Sequence, residues 1–296
     1  MISVLIPVFN EEEALPETLR QTRRVLESVE QDFEIVVIND GSMDGTAKIL
    51  DSIAREGDSR IVIIHHTHNW GYSASLKNGI RQSKGDIIGI IDADGTYPID
   101  DFPTLIRTLQ EKRADMVVGA RTKKGAKIPL MRRPAKAIIN LLAQHLTGLK
   151  IPDLNSGFRV FTRVLGERFM PLYPQRFSFT ITITLAALTN DYIVEYVPIN
   201  YFKRTGKSSL STGMNGIWNF LNFLSLVTRI VTYFRPLRFF LWPAIFIGGS
   251  GLLLILYTIS TQGNLSDSGL LLFLTGLQIG LFGMMGEAIV RNRSTL

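Results

Sequence analysis

Two stretches near the end of this chain carry no charged side chain: Phe239–Ile259, 21 residues, and Gly269–Gly286, 18 residues. At about 1.5 Å of rise per residue, each approaches as a helix the roughly 30 Å hydrocarbon core of a bilayer. Successive uncharged runs of this length are rare in soluble cores, so they predict a two-helix transmembrane hairpin. Its spans fall at about 238–260 and 269–290, with the polar stretch Ser260–Ser268 between them. Arg235 and Arg238 precede the first span, Arg291 and Arg293 follow the second, and the connecting turn has no Lys or Arg. The positive-inside bias then puts both ends in the cytoplasm and the turn outside. Gly276 and Gly280 make a GxxxG pattern, which suits close packing within the hairpin or contact between copies of the chain as a homo-oligomer.

The charge distribution agrees with an anchor at this end. Eight of the 32 Lys and Arg residues and two of the 26 Asp and Glu residues lie beyond Glu195, so the last third carries the whole net charge of +6. A basic nucleic-acid-binding body is excluded, and a neutral body with a basic membrane-facing end is favoured. With no cysteine, disulfides, thiolate metal sites and cysteine nucleophiles are excluded. Met1–Val8 is apolar but short, lacks a leading positive charge and runs into Glu11-Glu12-Glu13. It reads as a first strand rather than a secretory signal, which keeps the soluble body on the cytoplasmic side.

Just before the hairpin, the polar residues Asn215, Asn219, Asn222, Ser225, Arg229 and Thr232 recur at steps of 4, 3, 3, 4 and 3 within an otherwise apolar Met214–Phe234. One narrow polar stripe on a wide apolar helix predicts an element lying in the membrane interface, ended by Pro236. Ala135–Leu146 is a second candidate of this kind and equally suits a helix on the core. The chain therefore divides into a body at 1–212, an interfacial helix at 213–236, the hairpin at 237–290 and a tail at 291–296.

The body alternates strand and helix. Short Val/Ile-rich strands are expected at Ile2–Val8, Phe33–Asn39, Arg60–His65, Asp86–Asp92, Asp115–Gly119 and Tyr192–Ile199. Helices are expected at Glu12–Val29, Asp44–Glu56, Ser73–Gln82 and Asp100–Glu111. That order predicts an α/β fold with a doubly wound, mostly parallel, Rossmann-like sheet. Ligands of such sheets bind beyond the carboxyl ends of the strands, which nominates Asn10, Glu11, Asp40, Gly41, Asn69 to Gly71 and Asp92 to Gly95. No GxGxxG follows a strand, and Gly206-Lys207-Ser208 lacks the first glycine of a P-loop, whose place is held by Tyr201. His65, His66 and His68 alternate across a strand end, so they do not converge as zinc ligands.

The chemical signal is Asp92-Ala93-Asp94, set at the end of the apolar Ile87–Ile91. Two carboxylates one residue apart repel unless a cation bridges them, and a hard divalent ion that also takes phosphate oxygens suits them. Alone, the pair also fits an ordinary strand-end turn.

Its companions carry a resemblance. Ile6-Pro7-Val8-Phe9-Asn10-Glu11-Glu12, Asn39-Asp40-Gly41-Ser42-Met43-Asp44-Gly45-Thr46, Asn69-Trp70-Gly71 with Ala74 and Gly79, and Asp92-Ala93-Asp94-Gly95 resemble, in order, the motifs of family 2 glycosyltransferases with a GT-A fold. Val118-Gly119-Ala120-Arg121, Asp153-Leu154-Asn155-Ser156-Gly157-Phe158-Arg159 and Arg204 to Ser208 resemble the polyprenyl-phosphate branch, which includes dolichol-phosphate sugar synthases and undecaprenyl-phosphate sugar transferases. Ser208-Ser209 stands where that branch often has Ser-Lys, and Gly95-Thr96-Tyr97-Pro98 departs from the mannosyl pattern.

The resemblance implies an inverting transfer of one hexose from a UDP- or GDP-sugar to a polyprenyl phosphate, by an integral membrane enzyme working at the cytoplasmic face. It implies that Pro7, Val8, Asn10, Glu11, Asp40, Asn69, Gly71, Lys77, Asp92, Ala93 and Asp94 bind the nucleotide sugar. Asp92 and Asp94 would hold Mg²⁺ or Mn²⁺, and Asp92, Asp94, Asp153 and Arg204 would be catalytic. The acceptor phosphate would be held by Arg121, Arg132, Arg133, Arg204 and Lys207. The run from Met116 to Pro152, with eight bases and no acid, fits that role, as it fits a basic loop near anionic lipid. A processive polysaccharide synthase would need many spans and a Gln-x-x-Arg-Trp motif, which this chain lacks. A non-catalytic membrane adaptor that kept the fold would have no use for the intact acidic pair.

Overall fold

The structure, a computed structural model, describes residues 1–123, 144, 148, 150–175, 179–204, 225, 228, 232 and 236–293. Arg132, Arg133 and Lys207 lie outside the described residues, as do the expected helices at Met214–Phe234 and Ala135–Leu146 apart from single positions.

Strand β1 (Ile2–Val8) opens the chain, followed by α1 (Leu15–Glu27), β2 (Phe33–Asn39), α2 (Thr46–Arg55), β3 (Ile61–His65), α3 (Tyr72–Gln82), β4 (Ile87–Ile90), α4 (Phe102–Glu111) and β5 (Met116–Ala120). Beyond it come β6 (Arg159–Thr162), α5 (Arg163–Arg168), α6 (Phe179–Thr189), β7 (Val194–Pro198) and two long helices, α7 (Pro236–Gln262) and α8 (Asp267–Arg293). The seven strands form one sheet in the order β3-β2-β1-β4-β6-β5-β7. Every pairing is parallel except those of β6, which runs antiparallel to both β4 and β5.

Both faces of the sheet are covered, which is why its strands read as unbroken apolar runs. Along β1, Ile2, Val4, Ile6 and Val8 join the core under α1 and α4, while Leu5 joins the core under α3, α5 and α6. Helix α1 buries Leu15, Thr18, Leu19, Thr22, Val25 and Leu26 at helical steps, and α4 buries Phe102, Leu105, Ile106 and Leu109 likewise. Each fully buried Leu or Phe contributes about 1.5–3 kcal/mol, so these stripes fix how the helices lie.

The six expected strands all form, with ends that differ by a few residues. The shortest is β4, which stops at Ile90, so Asp92 and Asp94 stand just past a strand end rather than in it. Strand β6 and helices α5 and α6 were not expected. Helix α6, with its alternating Thr and Ile, is buried along its entire length, so it has no polar face to betray a helical period.

Helices α7 and α8 are long and apolar enough to cross a membrane. Pro236 opens α7, where its missing N–H costs nothing, and Glu287 of α8 accepts from the Leu237 N–H at 3.3 Å. A Cβ on Gly276 would lie 2.4 Å from Gly248 N, and one on Gly251 would lie 2.4 Å from Phe273 N. Gly276 of the GxxxG pattern is therefore used inside the hairpin, where two backbones touch. The outward side chains, among them Phe246, Leu253, Leu271 and Phe282, are exposed. Such a surface belongs in contact with lipid.

Candidate active site

The strand order reverses between β1 and β4: the chain winds outward from β1 to β3 and then returns to β4 on the other side. The crevice at that switch point is where doubly wound sheets take their ligands. The loops that leave β1 and β4 into it carry Glu11 and the Asp92/Asp94 pair.

The loop after β1 is laced to the loop after β2. Asn10 adopts a left-handed φ of 55°, which asparagine tolerates, and its Oδ1 accepts from Met43 N at 2.8 Å. Its own N–H donates to Ser42 Oγ at 3.0 Å, and Glu11 N–H donates to Thr46 Oγ1 at 3.1 Å. Glu12 accepts from Gly45 N at 2.6 Å. These bonds turn Glu11 inward, where it is 8% exposed.

Three carboxylates and one guanidinium meet there. Arg204, six residues beyond β7, hydrogen-bonds Glu11 Oε1 through Nη2 and stands 3.4 Å from Asp94 Oδ2 through Nη1. Asp94 Oδ1 accepts from Thr96 Oγ1 at 2.6 Å and from Thr96 N at 3.2 Å, which fixes its plane. Asp92 Oδ1 accepts from the Tyr72 hydroxyl at 2.8 Å. Its Oδ2 faces Gly157 so closely that a Cβ there would come within 2.5 Å. Burial raises the pKa of Asp92, and the charge of Asp94 adds to the rise. Burial likewise pushes Glu11 up to about 7, against the lowering pull of Arg204 and with help from Asp94 and Asp92. Three acidic groups thus crowd around one guanidinium, as at sites that receive a cation.

A second charged pair flanks the first. Asp153, fully buried, accepts from Arg121 through Nε at 2.7 Å, through Nη2 at 2.9 Å and through the Arg121 backbone N–H at 3.2 Å. The fork leaves Arg121 at the end of β5 with its guanidinium 5.2 Å from the centre of the Tyr201 ring. Tyr201 meets Tyr97 edge-on, Tyr97 stacks on Phe158, and the Tyr97 hydroxyl accepts from Gly157 N at 2.8 Å.

On the β2–β3 side, Asp40 accepts from Trp70 N at 2.9 Å, Gly71 N at 2.8 Å and His66 Nδ1 at 2.9 Å. Because Nδ1 donates, Nε2 of His66 is free to accept from Asn78 Nδ2 at 3.0 Å, and the ring stacks on Trp70 with centroids 4.3 Å apart. Oδ2 of Asp40 has a single donor among these contacts, so it retains one lone pair. Among the described residues no group of three or more His, Asp or Glu side chains is arranged to hold a metal ion.

Residues 3–169 match the family described as Glycosyl transferase family 2, and residues 235–291 match the one described as GtrB C-terminal hairpin. The chain belongs to glycosyl transferase family 2. An undecaprenyl-phosphate 4-deoxy-4-formamido-L-arabinose transferase of Salmonella choleraesuis (strain SC-B67) is 29% identical over 98% of this chain and 88% of its own length. The enzyme of that name from Salmonella paratyphi B (strain ATCC BAA-1250 / SPB7) aligns with the same identity and coverage. Among solved structures, glucosyl-3-phosphoglycerate synthase from Mycobacterium tuberculosis, in complex with Mn²⁺, UDP and phosphoglyceric acid, has a TM-score of 0.59 at 17% identity, covering 78% of each chain. S. aureus TarS 1–349 in complex with UDP-GlcNAc has a TM-score of 0.54 at 18% identity, covering 77% of this chain and 66% of its own. The architecture is that of GT-A glycosyltransferases.

In this glycosyltransferase the structure brings together Glu11, Asp92, Asp94 and Arg204, with Arg121 and Asp153 beside them. Pro7, Val8 and Ala93 belong to the chain entering and leaving this cluster, and Asn69 and Gly71 to the loop around Asp40. Lys77 is held apart: on α3, its ammonium donates to the Tyr173 carbonyl at 3.4 Å. Sequence reasoning missed Tyr72, Tyr97, Thr96 and Tyr201. The signals available were their places: Tyr72 directly after the Asn69-Trp70-Gly71 motif, and Thr96 and Tyr97 directly after the acidic pair.

Proposed function

We propose that this glycosyltransferase moves a single sugar, a hexose, from a UDP- or GDP-linked donor to a polyprenyl phosphate at the cytoplasmic surface of a membrane, with inversion at the anomeric carbon. The observation that carries the reading is the union, in one chain, of the Glu11/Asp92/Asp94 cluster at the sheet's switch point with flanking arginines and an apolar helical hairpin. The relatives named for undecaprenyl phosphate support the acceptor, and the UDP complexes of the structural neighbours support a nucleotide donor.

Asp92 and Asp94 would hold a divalent cation, Mg²⁺ or Mn²⁺. Their mutual repulsion fits one. When bound, such an ion neutralises charge on the leaving diphosphate. The remaining lone pair of Asp40 Oδ2 suits a ring N–H of the nucleotide base, with Asn10, Glu11 and the Asn69–Gly71 loop around the nucleoside.

The acceptor needs positioning more than activation. A phosphate monoester, with a second pKa near about 6, is largely dianionic at neutral pH and requires no base to deprotonate it. Its oxygen forms the new bond to the anomeric carbon as the bond from that carbon to the diphosphate oxygen breaks. The enzyme's task is to hold the dianion in line, by charge and geometry. Arg121 and Arg204 stand beside the carboxylates for this purpose, with Arg132, Arg133 and Lys207 as further donors from the basic segments. Asp153 orients Arg121 and carries no proton.

The test uses membranes holding the full chain, polyprenyl phosphate and a panel of labelled UDP- and GDP-sugars, including a UDP-linked 4-deoxy-4-formamido-arabinose. A chloroform-soluble, β-linked monosaccharide product from an α-linked hexose donor is expected. Extended polymer, a retained anomer, or nucleotide binding without turnover would overturn the reading.

A further inference from the structure

Among the described residues Arg159 is the largest side chain that is fully buried. Among the described residues no carboxylate pairs with it. A buried cation with no carboxylate in ion-pair contact, Asp153 acting on it only from beyond that range, is expensive, and an apolar side chain of similar size would fill the space without that penalty. Its retention therefore asks for a use beyond filling.

Two of its three nitrogens grip one peptide oxygen, and the third ties it to α6. Nε donates to the Ser156 carbonyl at 3.0 Å and Nη2 donates to the same oxygen, while Nη1 reaches Thr180 O at 3.1 Å and Thr184 Oγ1 at 2.9 Å on α6. Among the described residues the Ser156 hydroxyl has no partner, so this residue is gripped through its carbonyl rather than its side chain. The next residue is Gly157, whose N–H is tied to the Tyr97 hydroxyl and whose α-carbon leaves no room for a Cβ against Asp92 Oδ2. The Ser156–Gly157 peptide is thus the wall behind Asp92, and Arg159 is what pins it. The anchor is itself rigid, because Arg159 starts β6 and is paired with Ile90 of β4 and Val118 of β5.

We infer that Arg159 is a positioning residue: by holding the Ser156 carbonyl it sets the Gly157 wall that fixes the Asp92 carboxylate relative to Asp94, and with it the geometry in which the pair shares a divalent cation. This rests on the metal role proposed above for the pair. Residues that orient metal ligands typically govern metal affinity by about 10–100-fold without touching the ion.

The experiment is a Mn²⁺ titration of the purified full chain in detergent, followed by the electron paramagnetic resonance of free Mn²⁺, with no donor sugar present. Wild type is compared with Asp92→Asn, Gly157→Ala, Arg159→Lys and Arg159→Met, and thermal unfolding is recorded for each. Gly157→Ala, which pushes on Asp92 without altering any charge, and Arg159→Met should each weaken Mn²⁺ binding about tenfold or more. Arg159→Lys keeps the charge but loses the fork, and its affinity should fall between wild type and Arg159→Met. Folded Gly157→Ala and Arg159→Lys proteins that bind Mn²⁺ within about twofold of wild type would overturn the inference, since a role confined to stability would move only the unfolding temperature. If Arg159→Met does not fold, Arg159→Lys decides alone: weakened binding supports the role and parity overturns it. A wild type that binds no Mn²⁺, or an Asp92→Asn protein that binds as wild type does, would instead sink the metal reading itself.

Discussion

Arg204 lies between Glu11 and Asp94, paired with the first and 3.4 Å from the second. Loss of Asp94 should remove both this contact and the expected metal ligand. Asp94→Asn is predicted to lower turnover on the order of a hundredfold or more, and EDTA to abolish it, in the lipid-product assay. Full activity in EDTA would rule out the metal role. Glu11 gives a pH signature to the metal-free protein. Its folded pKa of about 7 exceeds the ordinary glutamate value of 4.5, so the folded state holds a proton that the unfolded chain has lost. Stability from this group is complete below about pH 4.5 and is lost as pH rises through about 7. The melting temperature of metal-free protein should fall over that window, and Glu11→Gln should flatten the fall; an unchanged slope would contradict the assignment. For Asp153, bonded to Arg121 through both oxygens, Asp153→Asn should lower the rate while leaving the pH–rate profile in place. An acidic limb that vanishes in this variant, and is not due to the acceptor phosphate, would make Asp153 a base instead. Glu11, Asp92, Asp94 and Arg204 were legible in the sequence because strand ends and motif order nominate them. Tyr72 and Gly157 were not, since their value lies in which carboxylate oxygen they face, and that depends on how α3 and the turn before β6 pack.

Parallel strands flanked by helices could be read from unbroken Val/Ile runs, because burial on both faces leaves no polar alternation to confuse them. Strand β6 escaped for a specific reason. It begins with Arg159, a residue that ordinarily marks a surface, and here the charge is buried against backbone oxygens of Ser156 and Thr180. Helix α6 escaped because a helix buried all round carries no 3.6-residue signal. In the hairpin the sequence left two uses open for the GxxxG glycines, and the packing selects one for Gly276. A Cβ there meets Gly248 N at 2.4 Å, whereas a Cβ on Gly249 meets nothing within 4 Å. Gly276→Ala should therefore force α7 and α8 apart, with a destabilisation of about 1–3 kcal/mol typical of overpacking. Gly249→Ala should leave thermal stability in detergent unchanged or slightly raised, because alanine favours helix over glycine. Equal effects at the two positions would mean that the backbones do not touch as described.

At the level of the entire chain, the hairpin and the catalytic body constrain each other's sidedness. The body carries the site proposed above for a nucleotide sugar, and α7 and α8 are joined by a turn without Lys or Arg. Arg238, at the start of α7, lies against Gly148: a Cβ on that glycine would lie 2.4 Å from Arg238 Nη1. Gly148 is five residues ahead of Asp153, the partner of Arg121, and five residues span at most about 18 Å. The start of α7 therefore lies within reach of the Asp153–Arg121 pair, which the proposed function puts at the cytoplasmic face. The opposite end, at Gly263 with its φ of 67° between the two helices, should then be outside. Because the chain has no cysteine, single cysteines report position without background. In intact cells, Gly263→Cys should react with a membrane-impermeant thiol reagent, and Ser294→Cys should react only after the membrane is opened. The helices differ in what would disturb this result: moving a positive charge into the turn, as in Asn264→Arg, should weaken the orientation, since the bias acts through Lys and Arg in short loops. Labelling of Ser294→Cys from outside, with Gly263→Cys protected, would invert the arrangement and place the sugar-transfer site on the outer face.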